Sequence, residues 1–287
     1  MALAEAEETE IGPFSRDHLT VAHLSDMHIR RDYRHTMLVK DLDQPILPTP
    51  YFELGLKKAV SGHPDLIVLT GDLVHEGDAR DYLFLREMVE RGADGIPVIP
   101  VLGNHDNKRA FREGYLGLTG SACTDEPYHA VYEWDGWRFV VIDTAKEGQG
   151  DGFVSEDEAS WLRSVLAERA QRGTVLLGHH PFESQQGWFT TTLPDGFLEM
   201  LQGSDIIAYL CGHAHYNEAR PLGHMLQATT ESFDYGVETW SDEVVYTEAR
   251  GYNTCWLEAR HGDLPGKAIV HTHQLFPFNP VIHRMPL

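Results

Sequence analysis

Apolar residues along the chain gather into short runs, each followed by a polar cluster. The runs at residues 19–24, 65–70, 98–102, 174–177 and 206–210 are almost continuously apolar. Runs of this length suit strands covered on both faces. Residues 51–61, 79–91 and 155–171 carry helical spacing instead. The last of these opens on Ser155 with Glu158 three positions later, the pattern of a capping box. Strands alternating with helices predict an α/β layered architecture. Residues 128–134 and 137–143 are strand-like and joined by Asp135-Gly136, a hairpin signal. Residues 251–260 and 267–273 read as a second antiparallel pair, so the sheets are expected to be mixed. No internal repeat or linker divides the chain. Residues 1–17 read as a disordered acidic tail and residues 18–287 as one domain.

The polar clusters carry the chemistry. After the first run comes Ser25-Asp26-Met27-His28, and after the second Gly71-Asp72-Leu73-Val74-His75. Gly103-Asn104-His105-Asp106 follows the third, Gly178-His179-His180-Pro181 the fourth, and Gly212-His213-Ala214-His215 the fifth. Ligands of open α/β sheets bind beyond the carboxyl ends of strands, so five such clusters should converge. Asp, Asn and His without Cys form a nitrogen and oxygen ligand set suited to Mn²⁺, Fe, Zn²⁺, Co²⁺ or Ni²⁺. There are too many ligands for one ion, but two ions sharing a carboxylate would use them all. Such a pair clamps the oxygens of an in-line displacement at phosphorus. Glycines before Asp72, Asn104, His179 and His213 are expected to let the backbone turn sharply. His213 and His215, two apart, read as a chelating pair on one strand face.

Composition narrows the partners. With 44 acidic against 23 basic residues the formal net charge is −21. That argues against a nucleic-acid duplex and against an anionic membrane as partner. The longest apolar run, residues 206–211, is far short of the roughly 20 residues of a membrane span. The first ten residues hold four glutamates and no basic residue, unlike a secretory signal, so a cytoplasmic location is expected. Cys123, Cys211 and Cys255 lack the spacing of a disulfide framework or a thiolate zinc site. The 17 histidines are the compositional anomaly.

The five blocks, in this order, resemble the signature of the calcineurin-like metallophosphoesterases. Within that family the Gly-Asn-His-Asp and His-His-Pro blocks are most similar to class III cyclic-nucleotide phosphodiesterases and bacterial glycerophosphodiesterases. The resemblance implies an αββα sandwich, two mixed β-sheets flanked by helices, with a dimetal site at the strand C-terminal ends. It implies that Asp26, His28 and His215 hold one metal, that Asp72 bridges, and that Asn104, His179 and His213 hold the second. His105 would contact the scissile phosphate or protonate the leaving group, with Asp106 orienting His105. The ions would be Mn, Fe or Zn. The implied reaction is hydrolysis of a small phosphodiester, a 3′,5′-cyclic nucleotide or a glycerophosphodiester, by a metal-activated hydroxide. A phosphomonoesterase on the same site, or a non-catalytic metal-binding interaction module, are the alternatives. A homodimer or higher homo-oligomer fits relatives of this kind.

Other segments stay open at this level. His75 either touches the first metal, orients a ligand or faces solvent. Residues 29–50 carry Arg30, Arg31, Arg34, His35 and Lys40, either a phosphate clamp or a solvated loop. Residues 182–194 carry Trp188 and Phe189, suited to stacking on a base, to a dimer contact or to plugging the core. Residues 216–252 read as an unusually long acidic loop, a lid or a dimer surface. His271 and His273 read as structural.

Overall fold

The protein is described by a computed structural model covering residues 18–34, 46–146, 148–186, 189–239, 242–262, 264–276 and 280–286. The expected tail at residues 1–17, and His35, Lys40 and Trp188, lie outside the described residues.

One sheet contains β1 (His18–Leu24), β2 (Leu66–Thr70), β3 (Val98–Val101), β14 (Gly251–Glu258) and β15 (Lys267–Gln274), in the order β15-β14-β1-β2-β3. The second contains β4 (Ala130–Trp134), β5 (Trp137–Val141), β7 (Gly173–Leu177), β9 (Ile206–Cys211), β10 (Glu218–Leu222) and β11 (Met225–Thr229), in the order β10-β11-β9-β7-β5-β4. Both are mixed. β1, β2 and β3 run parallel while β14 lies antiparallel to β1. β5, β7, β9 and β11 run parallel, with antiparallel strands at both edges. Smaller pairings join β6 (Gly152–Phe153) to β8 (Thr191–Thr192), and β12 (Gly236–Glu238) to β13 (Glu243–Thr247) and β16 (Val281–Pro286).

The two-residue period of the strands sorts their apolar side chains into two cores. Phe139 and Val141 of β5 and Val175 and Leu177 of β7 face the first sheet, whose strands β1 and β2 belong to the same core through buried residues on both of their faces, Ile67 and Val68 among them. Val140 and Leu176, one residue out of phase, face the other way and meet α4 (Glu156–Val165) and α5 (Phe197–Gln202) through Leu162, Phe197 and Leu201. The first sheet's outer face is covered by α1 (Pro48–Ser61) and α2 (Ala79–Gly92), through Phe52, Leu56, Leu85 and Val89. Helix, sheet, sheet and helix therefore stack as expected. β9 breaks the alternation at Ile207 and Ala208, where its register against β7 shifts. A short helix, α3 (Lys108–Gly114), follows the third polar block.

Several expectations need correction. The helix expected over residues 155–171 ends at Val165. Arg138 donates to the carbonyls of Val165 and Glu168, and Asp205 accepts the N–H of Ala170, so tertiary partners replace further helical bonds. Its capping box is half made: Ser155 Oγ accepts the Glu158 N–H, but the Glu158 carboxylate accepts from Asp143 N and lies 3.0 Å from His129 Nδ1. The complete capping box is at α2, between Asp78 and Asp81. α1 begins earlier than the spacing suggested, with proline in its first turn. Residues 216–252 are not one loop: β10, β11, β12 and β13 occupy much of them. The Asp135-Gly136 hairpin forms as expected, both residues at positive φ (49° and 76°) as a type I′ turn demands. Among the described residues no helix is long and apolar enough to cross a membrane.

Candidate metal centre

The polar blocks after β1, β2, β3, β7 and β9 meet at one end of the two sheets. Main-chain bonds lock them together: Asp26 N donates to Gly71 O (3.0 Å), His28 N to Asp72 O (2.8 Å) and Gly212 N to His179 O (2.8 Å). Five of the chemical residues hold left-handed backbone themselves: Asp26, His28, Asp72, His213 and His215, with φ between 46° and 67°. Each such non-glycine residue costs roughly 1–3 kcal/mol and persists only where its surroundings impose it. Of the four glycines that precede ligands only Gly71 has positive φ. The others are needed for space. A Cβ at Gly103 would strike Asp72, at Gly178 the Tyr209 hydroxyl, and at Gly212 the Ser25 hydroxyl and Asp26.

The side chains form two clusters. Asp26, His28, Asp72 and His215 make one, and His179, His180 and His213 the other. His213 and His215 are thus not a chelating pair on a strand face. β9 has ended at Cys211, and the two rings diverge, one into each cluster. Asp72 stands between the clusters. Its Oδ2 lies 3.6 Å from His28 Nε2 and 3.3 Å from His179 Nε2. Asp26 Oδ1 is 3.2 Å from His215 Nε2 and 3.9 Å from His179 Nε2.

The ring nitrogens show which imidazoles remain available. His179 Nδ1 donates to Thr70 O (2.8 Å), and its fully buried Nε2 makes no hydrogen bond among the described residues. His180 has both nitrogens occupied, by Thr144 Oγ1 (2.8 Å) and Gly150 O (3.1 Å). His215 Nδ1 donates to Tyr235 O at 2.9 Å, which turns Nε2 inward. Asn104 Oδ1 is likewise buried and without a hydrogen-bond partner among the described residues. These orphaned acceptors, beside two buried carboxylates, fit a pair of cations.

Electrostatics agrees. Burial alone would raise both carboxyls. His215 and His179 beside Asp26, and His179 and His105 beside Asp72, outweigh it and hold both below the usual range. Burial likewise would lower His179, but Asp72 and Asp26 raise it to about 9. A proton there answers the same negative field that would attract a metal ion. Burial drives His28, His180 and His213 well below the ordinary histidine value, in the neutral form that ligates metals.

The neighbouring residues differ from expectation in two respects. The Asp106 carboxylate does not bond the His105 ring. It accepts from Leu73 N (3.0 Å), Val74 N (3.0 Å), Gly103 N (2.8 Å) and the Tyr82 hydroxyl (2.8 Å), stapling the second block to the third. The carboxylate beside the His105 ring is Glu76, 3.6 Å from Nδ1. His75 stacks on His105 with ring centroids 4.6 Å apart, and its Nδ1 lies 3.0 Å from His28 Nδ1. It orients His28 from behind, a role usually filled by a carboxylate or carbonyl.

The loops also resolve. Arg30 donates to His75 O and Glu76 O, Arg31 pairs with Asp81 and Asp78, and Arg34 with Asp32. Phe189 is buried against His213 and Ala214. Among the described residues His271 and His273 join no group of three metal-ligating side chains; His273 stacks on Tyr252 and lies 2.9 Å from Thr254 Oγ1.

A fold of two mixed sheets with clustered Asp, Asn and His at their strand ends defines a class, and comparison gives the family. The calcineurin-like phosphoesterase family matches residues 19–217, and the chain belongs to it. The chain is 38% identical over 165 residues to a probable cyclic nucleotide phosphodiesterase of Rhodococcus erythropolis, covering 55% of this chain and 54% of that one. It is 33% identical over 210 residues to a cAMP/cGMP dual specificity phosphodiesterase of Mycobacterium tuberculosis, covering 70% and 63%. The matches thus span between half and two thirds of the length of these curated relatives. A dimetal phosphatase from Danio rerio shares the fold with a TM-score of 0.57 at 14% identity, covering 88% of this chain and 98% of that one.

Proposed function

We propose that this chain hydrolyses a small phosphodiester at a two-metal centre, the substrate being a 3′,5′-cyclic nucleotide or a glycerophosphodiester. The observation that carries the reading is the position of Asp72 between two ligand clusters, with the orphaned acceptors of Asn104 and His179 beside it. Asp26, His28 and His215 would hold one ion, Asn104, His179 and His213 the other, and Asp72 both. When bound, such ions activate water and neutralise the phosphate oxygens.

The chain's own groups do the rest. The His105 main-chain N–H fixes Asp72 Oδ1 at 2.9 Å, leaving Oδ2 toward both clusters. The His105 ring, partly exposed at the mouth of the site and 5.2 Å from the His28 ring, offers a hydrogen bond or proton to the leaving oxygen. Asp106 holds the two blocks at the separation this requires. A cavity of about 600 Å³ opens beside Asn104, bordered by Lys108, Lys146 and Phe153, with room for an organic arm of a diester.

A phosphomonoester carries an extra negative charge and calls for extra cations. The cations of the loop after β1, Arg30, Arg31 and Arg34, are all three engaged by carboxylates or carbonyls of the protein, and Lys108 beside the cavity is paired with Asp143. That favours the diester. The filled set of ligand positions speaks against a non-catalytic interaction module. The test is hydrolysis of bis(p-nitrophenyl) phosphate against p-nitrophenyl phosphate with added Mn²⁺. Diester turnover well above monoester turnover, lost in Asn104→Ala, supports the proposal. Dominant monoester turnover replaces it with a phosphatase, and no turnover of either with Mn²⁺, Fe²⁺ or Zn²⁺ rejects it.

A further inference from the structure

The stretch between β11 and β12 folds back over the first cluster as a strap. Ser232 Oγ and Phe233 N both donate to Asp26 O, at 2.9 and 3.1 Å. Two residues on, Tyr235 O accepts from His215 Nδ1 at 2.9 Å, and His215 Nε2 then lies 3.2 Å from Asp26 Oδ1. Residues 232–235 therefore grip the main chain of one proposed ligand and the ring of another. The second cluster is tied elsewhere: the His179 ring bonds Thr70 O, and the His180 ring bonds Thr144 Oγ1 and Gly150 O.

Arg250 holds the strap. It is 1% exposed and, after Trp137, the largest fully buried side chain among the described residues. Its guanidinium donates to three main-chain oxygens, those of Phe233 (3.1 Å), Asp234 and Glu248 (3.2 Å), and pairs with the Glu248 carboxylate. Its flat face rests on the Tyr51 ring of α1, 4.0 Å from the centroid, and its own carbonyl accepts from Leu275 N at 2.8 Å. Phe233 packs on the same helix, its ring 5.5 Å from that of Phe52 and against Gly55, where a Cβ would strike it. The carbonyls of Phe233 and Asp234 belong to the two consecutive peptide units that join the grip on Asp26 to the grip on His215.

A buried guanidinium is expensive, and a well-packed apolar side chain often stabilises a core at least as well. What an apolar side chain cannot do is fix peptide units at set angles. The planar fork of arginine can, because its donors are pre-organised, and a lysine ammonium offers no such fork.

We infer that Arg250 is a positioning residue for the first metal position: by clamping residues 232–235 it holds the His215 ring and Asp26 in register with each other. The inference rests on the two-metal reading and deepens it. Its signature is selectivity, since Arg250 reaches two members of the first cluster through the strap and the second cluster is anchored without it.

Stepwise competition for Mn²⁺ with a calibrated chelator tests this. Wild type is expected to release two ions per chain in separable steps. Arg250→Ala should weaken one step by about tenfold, the lower end for loss of a ligand's supporting partner, and leave the other within about twofold. Asn104→Ala is expected to keep the first ion alone, and adding Arg250→Ala to it should weaken that remaining ion by the same factor. Guanidinium ion at millimolar concentration, far below denaturing levels, should restore part of the loss. Arg250→Lys keeps the charge and the stem without the fork and should lie between wild type and Arg250→Ala. It carries the same comparison if Arg250→Ala shows no cooperative melting. Equal weakening of both steps, weakening of neither, or no loss in the Asn104→Ala background overturns the inference. Fewer than two ions bound by wild type overturns the two-metal reading itself, before any variant is made.

Discussion

The main-chain N–H of His105 binds Asp72 Oδ1 at 2.9 Å and so aims Oδ2 at two groups of histidines. The residue proposed to meet the substrate thereby also sets the carboxylate that stands between the two ligand clusters. Asp72→Ala should abolish binding at both positions, whereas Asn104→Ala should spare the first. Metal content of the purified variants by mass spectrometry checks this. Retention of two ions per chain by Asp72→Ala would contradict the bridging role. Turnover should fall by roughly a thousandfold or more in Asp72→Ala, several kcal/mol of lost stabilisation.

His75 touches His28 on the side away from Asp72. If His28 presents Nε2 to an ion, its Nδ1–H must donate to His75 Nδ1, 3.0 Å away. His75→Phe keeps a ring stacked on His105 but removes the acceptor. Loss of such a partner typically weakens metal binding ten- to a hundredfold. Competition with a calibrated chelator measures it. His75→Asn restores a side-chain acceptor and should recover part of the loss.

Glycine spacing can be tested without any substrate. Gly212→Ala would drive a methyl group into Ser25 Oγ and Asp26. Both neighbours are fully buried, so the conflict should cost about 2–4 kcal/mol and lower the melting temperature by many degrees. Gly203, whose hypothetical Cβ meets only two carbonyls at 3.5 and 3.6 Å, is the control. Gly203→Ala should melt within a few degrees of wild type.

His23 predicts a response to acid. It lies on β1 with Nε2 2.8 Å from Thr70 Oγ1, and burial lowers its pKa to about 3. The unfolded chain takes up this proton near pH 6.5, so between pH 6.5 and about 3 the unfolded state binds more protons than the folded one. Stability from this residue is full above pH 6.5 and is lost as pH falls, on the order of 5 kcal/mol across the window. Urea denaturation at pH 7.5 and pH 5 should show a smaller drop for His23→Gln than for wild type. Equal drops would show that His23 does not contribute.

Much of this molecule was legible in its sequence because chemistry and strand ends coincide. An apolar run followed at once by Gly-Asp or Gly-Asn-His reports both a buried strand and the side chains at its end. β10 to β13 were hidden for the opposite reason: Glu218–Leu222 alternates charge with small residues and contains Pro221, which reads as loop. The α2 cap was hidden because Asp81, not Glu or Gln, completes it. Asp106 looked like the partner of His105 because the two are adjacent, but adjacency in a tight turn points neighbouring side chains apart. The stretch at residues 232–235 had no motif to announce it. Ser232 reaches the Asp26 carbonyl across more than two hundred positions of sequence.

That long return path governs the order in which the protein can be made. Asp26 leaves the ribosome early, while His213, whose N–H binds its carboxylate, and Ser232, which binds its carbonyl, emerge 187 and 206 residues later. Contacts of such separation are slow to form. Until His213 and His215 have emerged the chain holds only part of this set of side chains, so the pocket cannot be assembled strand by strand and has to close in one late step.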